Sequence, residues 1–133
     1  MRIVEQAKPS DSRAVWEIRF HPSVSQESTN AEEVDFAAHD QWFQEKYFGQ
    51  SGNKCFILRV DGQAAGYCRF DLDEAGQFIV SLAIHPNYQS RGFGQLLLSE
   101  ALRQMPSGQK ILAAIKRDNE KSLKLFQDGG FIL

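Results

Sequence analysis

A chain of 133 residues that is 42% hydrophobic and 24% charged has the composition of a folded single domain, expected to span residues 1–133 and to bury roughly two thirds of its unfolded surface. Its formal charge of −2 lacks the basic excess of a general nucleic-acid binder, yet leaves room for a local basic pocket. No run approaches the roughly 18 apolar residues of a membrane span, no signal-peptide core is visible, and Cys55 and Cys68 form neither a disulfide scaffold nor a metal-ligand pattern, so a cytoplasmic protein without nucleic-acid or membrane partners is expected.

In chain order, "RIVEQ" (Arg2 to Gln6) alternates as a short strand. "KPSDSRAVWEIRF" offers Ser10 or Asp11 as N-cap of a short helix with Val15, Trp16 and Ile18 inward, and Pro22 ends it by pushing His21 out of the helical region. "HPSVSQESTN" reads as a loop. "TNAE" (Thr29 to Glu32) forms a capping box, in which hydroxyl and carboxylate each satisfy a free backbone N–H. The helix expected after it runs to about Phe48, with Val34, Phe36, Ala38, Trp42, Phe43 and Tyr47 as a broad apolar face and Gly49 as its stop.

"CFILRVDGQAAGYCRF" is a hairpin about Asp61-Gly62, a favoured two-residue turn whose central positions both need positive φ. Counting outward from Val60 opposite Gln63 sets Cys55 opposite Cys68, both as free thiols. Glu74 to Gln77 makes the next turn, and Phe78 to Ile84 is a strand apolar enough to be buried on both sides. A helix then runs from Gly92 and Gly94 to Pro106, with Phe93, Leu96, Leu97, Ala101, Leu102 and Met105 at helical spacing. Lys110 to Lys116 is a further buried strand. "RDNEKSLKLFQDGG" is a helix capped by Asp118 or Asn119 and closed by a glycine pair, and "FIL" begins a last strand. The expected order is β-α-α-β-β-β-α-β-α-β, a mixed α/β domain.

The pattern Q-x-x-G-x-G at Gln89, Gly92 and Gly94 lies between a strand and an apolar helix. The first N–H groups of a helix have no internal partner, and the helix dipole adds positive potential, so a phosphate can rest there. Arg91 would add charge. An ordinary tight turn is the plainer reading, and a third glycine, needed for the dinucleotide pattern, is missing.

"VSLAIHPNYQSRGFGQLLL" followed by "NEKSLKLFQDGGF" resembles the GNAT (GCN5-related N-acetyltransferase) family, in its strand, Gly-rich turn and helix and in its "N-x-x-S/A … G-F" segment. The resemblance implies a single-domain fold of that type, a mixed, mostly antiparallel sheet flanked by helices over Arg2 to Leu133. It implies acetyl-CoA as cosubstrate and no metal. Backbone groups of Leu82, Ala83 and Ile84 would pair with the pantetheine arm, the amides of Ser90, Arg91, Gly92, Phe93, Gly94 and Gln95 would hold the pyrophosphate, and Asn119 would bond the arm. It implies direct attack by an amine on the thioester, with a backbone N–H of the Phe78–Ile84 strand holding the oxyanion.

The family often places an acidic tyrosine seven residues after that asparagine, where this chain has Phe126, and some relatives place a glutamate five residues before it, where Ala114 stands. Candidate substitutes are Tyr88, Ser122, His39 and His85, although His85 also fits a turn and His39 a helix surface. In the front half, "EIRFHPSV…HDQWF" resembles acetyltransferases acting on nucleotide-linked amino sugars: Arg19, Pro22, His39, Trp42 and Phe43 match and Phe20 departs. A small-molecule primary amine is the expected acceptor, with a protein or peptide amine, or a non-catalytic acyl-CoA-binding module, as the alternatives. Relatives continue past "G-F" through two strands, whereas this chain stops at Leu133 within the first. An unpaired edge on Lys110–Lys116 is therefore expected, covered by a second copy in a homodimer, with truncation of a longer chain as the competing explanation.

Overall fold

The computed structural model describes residues 1–25, 34–49 and 51–132. Five strands form one sheet in the order β1 (Arg2–Gln6), β2 (Lys54–Val60), β3 (Gln63–Leu72), β4 (Phe78–Ile84) and β5 (Ile111–Ala113). All neighbours are antiparallel except β4 and β5, which run parallel. Helices α1 (Ser12–Arg19), α2 (Pro22–Ser25) and α3 (Phe36–Phe48) precede β2, α4 (Phe93–Gln104) joins β4 to β5, and α5 (Glu120–Asp128) follows β5.

Strand alternation gives the sheet two different faces. Phe56, Leu58, Cys68, Phe70, Phe78 and Val80 point to one and pack against Phe93, Leu97, Leu98 and Ala101 of α4 and Phe126 of α5. Cys55, Ile57, Tyr67 and Ala83 point to the other, beneath Val15 and Ile18 of α1 and Phe43 of α3.

The Asp61-Gly62 turn has the expected geometry, with φ of 50° and 83°. Val60 opposes Gln63, but the register slips between Leu58 and Arg59, because Arg59 pairs with Ala64 and Leu58 with Gly66. Ala65 is the extra residue, and its carbonyl instead accepts the His85 N–H at 2.8 Å. Cys55 consequently faces Arg69 and Cys68 faces Phe56. This corrects the expected cysteine pair: the two buried thiols sit on opposite faces of the sheet and are both free.

Four further expectations change, the first being that the stretch from His21, expected as a loop, opens with the single-turn helix α2. The capping box at Thr29–Glu32 lies outside the described residues, and α3 begins at Phe36, where the Asp35 carboxylate accepts the Ala38 N–H at 2.8 Å. Val34 and Asp35 are not helical, so no continuous helix joins the box to Phe48. The expected buried strand Lys110–Lys116 reduces to Ile111–Ala113, the edge of the sheet, with Leu112 37% exposed. The chain after α5 does not enter a ladder. Gly130 takes φ of 100° and the Phe131 N–H bonds back to the Phe126 carbonyl at 2.9 Å, a helix-ending tie that holds Phe131 on Phe126; Leu133 lies outside the described residues.

The cap of α1 falls on Asp11 as expected, but its carboxylate is used elsewhere. It accepts the Lys8 N–H at 2.8 Å and pairs with Arg59 at 2.8 Å. No helix among the described residues is long and apolar enough to cross a membrane.

Candidate active site

The parallel pairing of β4 with β5 lasts only from Phe78 to Val80. Beyond it the strands part, and the residues after each, Ser81–Ile84 on one side and Ala114 and Ile115 on the other, line a cleft of about 410 Å³. That volume falls within the roughly 300–1,000 Å³ of small-molecule sites. The splay also explains why β5 is so short, since its pairing with β4 ends at Ala113.

Alternation decides which backbone groups face the opening. Phe78 donates outward to the Lys110 carbonyl at 3.0 Å, while His85 donates inward to Ala65. Between them, on an unbroken register with β3, Leu82 and Ile84 turn their N–H and C=O groups to the cleft, whereas those of Ala83 turn to β3. The Ile84 carbonyl is held by Gln89 Nε2 at 2.9 Å, which leaves its N–H and both groups of Leu82 facing the opening. Of the three residues expected to pair with a pantetheine arm, Ala83 contributes lining and packing rather than backbone bonds.

At the mouth, Ser90 and Gly92 both adopt left-handed backbone, with φ of 65° and 77°, and Gly92 is the N-cap of α4. The first bond into the helix runs from the Leu96 N–H to the Gly92 carbonyl. Among the described residues, the amides of Ser90, Arg91, Gly92, Phe93, Gly94 and Gln95 donate to no acceptor in the chain. Left-handed residues interleaved with ordinary ones turn successive N–H groups inward, which makes an anion-binding concavity at the positive end of α4. The Arg91 guanidinium lies 6.0 Å from the Tyr88 ring centroid, on the same turn.

The two glycines do different work. A Cβ at Gly92 would meet no atom of the protein, so its need is the left-handed backbone itself. A Cβ at Gly94 would lie 3.3 Å from Leu125 Cδ1, so Gly94 sets the close approach of α4 to α5 rather than access for an anion.

Asn119 caps α5: its Oδ1 accepts the Ser122 N–H at 3.2 Å, leaving its NH₂ group for a ligand in the cleft. Tyr88 and Ser122 line the cleft, as do Ala114 and the ring of Phe126, itself buried in the core. Neither His85 nor His39 is among the described residues lining it. His85 Nδ1 accepts the Asn87 N–H at 3.1 Å and so caps the Pro86–Tyr88 turn. His39, expected on a helix surface or in the site, is fully buried among Phe36, Trp42 and Phe43, and its Nε2–H donates to the Ser12 carbonyl at 3.0 Å. Among the described residues no group of three His, Cys, Asp or Glu side chains could hold a metal ion.

The end of the cleft under α1 is cationic, and sequence reasoning missed most of it. Arg19, Tyr67 and Arg69 line it. Arg69 Nη1 donates to Asp71 at 2.6 Å, and the Tyr47 hydroxyl donates to the other Asp71 oxygen at 2.6 Å. The Trp42 ring sits among three cations, with Arg19 at 4.3 Å, Arg69 at 5.4 Å and Lys46 at 5.5 Å from its centroid. Burial first, and the Arg69 charge second, hold the Arg19 guanidinium below its ordinary pKa. The available signal was the alternation of "YCRFD", which places Tyr67, Arg69 and Asp71 on one face of a strand whose other face is Cys68 and Phe70.

Known proteins agree with this geometry. The profile of the acetyltransferase (GNAT) family matches residues 14–131. The chain is similar to acetyltransferase PseH of Campylobacter jejuni, 28% identical over 90% of this chain and 75% of that one. It is also similar to the L-amino acid N-acyltransferase MnaT of Escherichia coli, 27% identical over 96% of this chain and 77% of the other. Its fold matches a GNAT superfamily phosphinothricin acetyltransferase from Sinorhizobium meliloti, solved in complex with AcCoA, with a TM-score of 0.84 and 19% identity over 99% of this chain and 75% of that one. From the parted strands to the amide-lined turn, the chain belongs to the acetyltransferase (GNAT) family and is an N-acetyltransferase that uses acetyl-CoA.

Proposed function

We propose that the chain acetylates the primary amine of a small molecule by direct attack on acetyl-CoA. The observation that carries this reading is the continuity of unpartnered donors, from the Leu82 and Ile84 amides on β4 to the turn amides of Ser90 to Gln95. A pantetheine arm has amides that suit an open strand edge, and a pyrophosphate suits the turn. Asn119 would bond the arm between them.

The free amine attacks the thioester carbon, a C–N bond forms and the C–S bond breaks, leaving coenzyme A thiolate. The amine nitrogen loses one proton and the thiolate takes one up, so no net proton is consumed. A cleft-facing N–H of β4, with Leu82 the nearest to the point where the strands part, stabilises the oxyanion that develops on the way. Phe126 has no proton to give, so water or the hydroxyl of Tyr88 or Ser122 carries the transfer. Holding amine and thioester together supplies much of the rate, and acid–base help is typically worth only 10²–10⁴-fold.

A nucleotide-linked amino sugar is the first candidate acceptor, supported by Arg19, Pro22 and Trp42 in the front-half pattern. An L-amino acid is the second, supported by the similarity to MnaT. We place the reaction in the cytoplasm, in keeping with two thiols left free. Titration with acetyl-CoA and a thiol-release assay over a panel of amines should show binding and then one thiol per acetylated amine. Binding with no turnover on any amine of the panel would overturn the small-molecule reading.

A further inference from the structure

We infer that Arg19 and Arg69 form an oxyanion clamp for the acceptor, so that the enzyme selects amines carrying a carboxylate or phosphate elsewhere in the same molecule. The inference rests on the reading above, in which a small-molecule amine attacks acetyl-CoA held in this cleft.

Its first support is an imbalance of charge. Arg19, Arg69 and Lys46 converge on Trp42, and the acidic group among them is Asp71, already shared by Arg69, Lys46 and the Tyr47 hydroxyl. Arg19 has no carboxylate partner among the described residues. Two guanidiniums facing one cleft repel each other, and an anion between them would remove that repulsion.

The second support is an unmet donor. Arg69 is held by Asp71 through Nη1, yet its Nε is buried with no acceptor among the described residues. A buried donor left without a partner costs about 1–3 kcal/mol, and such groups are rare unless something else fills them. A planar guanidinium presents its donors in a fork that matches carboxylate and phosphate oxygens, which makes an oxyanion the fitting partner.

Position makes the clamp useful. Arg69 stands opposite Ser81 on the neighbouring strand, one residue from the cleft-facing Leu82 amide, and both side chains are on the face covered by α1. Trp42 braces the guanidiniums from beneath. An acceptor fixed by its charged end would extend its amine toward β4, where the strands part and the thioester would lie.

The test compares matched acceptors: L-leucine with L-leucinamide, and glucosamine 6-phosphate with glucosamine. At neutral pH more of L-leucinamide than of L-leucine carries its amine unprotonated, so a preference for L-leucine cannot arise from the supply of free amine. At least one charged member is expected to exceed its neutral partner about tenfold in kcat/KM, and which pair responds separates carboxylate from phosphate. Arg19→Gln should bring that ratio close to one, mainly through KM, and Arg19→Lys should restore part of it. Acetyl-CoA affinity by calorimetry should be unchanged in both variants. Equal use of charged and neutral acceptors, or discrimination that survives Arg19→Gln, overturns the clamp while leaving the acetyltransferase reading intact. Failure of the acetyl-CoA-loaded enzyme to turn over or bind L-leucine or glucosamine 6-phosphate also overturns it, and failure to bind acetyl-CoA removes both readings.

Discussion

Gly92→Val is expected to weaken acetyl-CoA binding by about 10²-fold or more while the protein stays folded. Gly92 sits at φ of 77°, a region that a β-branched residue resists strongly. Because a Cβ there meets no protein atom, the valine has no clash to escape; it moves the backbone instead. That rotation turns the Gly92 and Phe93 amides away from the common point they share with Ser90. Loss of two hydrogen bonds to a charged phosphate, at roughly 1.5 kcal/mol each, gives a factor on the order of 10². Gly92→Asn makes the control, since asparagine tolerates left-handed backbone and should retain much of the affinity. Calorimetric titration beside a melting curve reads both. A folded valine variant with wild-type affinity would remove the phosphate-cradle reading. Gly94→Val should also weaken binding, by pushing on Leu125 and separating α5, with Asn119 at its start, from α4.

Acidification should destabilise the protein between about pH 6.5 and 4, and His39 should account for a large part of the slope. The imidazole is fully buried, and its pKa is pushed down to about 4 by burial and then by the Arg19 charge. Its Nε2–H is committed to the Ser12 carbonyl and its Nδ1 has no partner among the described residues, so the folded protein holds it neutral. In the unfolded chain the same side chain protonates near its ordinary value of about 6.5. Through this window the unfolded state binds more protons, so stability falls as pH falls. The contribution is complete above pH 6.5 and declines by up to about 1.4 kcal/mol per pH unit, roughly 3 kcal/mol in all. His39→Gln, which keeps a donor for Ser12, should flatten the curve. Urea unfolding of both proteins at pH 7, 6 and 5 checks it, and parallel curves would show that the histidine carries no such linkage.

Much of this architecture is legible in local chemistry. The Asp61-Gly62 turn, the two strands it joins and the amphipathic α4 follow from signals contained within a few residues. What escaped depends on distant partners. The Ala65 bulge lies in "AAG", where small side chains give no pattern to read, and one inserted residue is enough to send Cys55 and Cys68 to opposite faces. The capping box expected before α3 lies outside the described residues, and the Asp35 carboxylate that caps the helix was not read from the sequence. Lys110–Lys116 has the composition of a buried strand, but a ladder needs a neighbour, and β4 departs after Val80. At the candidate site, the glycine turn and the Asn119 cap were readable because both are local backbone features. The arginine cluster was not, because Arg19, Trp42, Arg69 and Asp71 converge only once α1 and α3 close over the sheet.

The sheet therefore keeps two trades apart. The groups that would bind acetyl-CoA belong to α4, α5 and the open edge of β4, whereas the charged residues proposed to face the acceptor hang from α1, α3 and the opposite side of β3. The two sets share no packed core, and they meet only where β4 and β5 diverge. Substitutions on the α1–α3 side can then accumulate without disturbing the machinery that delivers the acetyl group. Such a partition lets one donor half serve a succession of acceptors over evolutionary time, with taste changing on one surface while the reaction stays the same on the other.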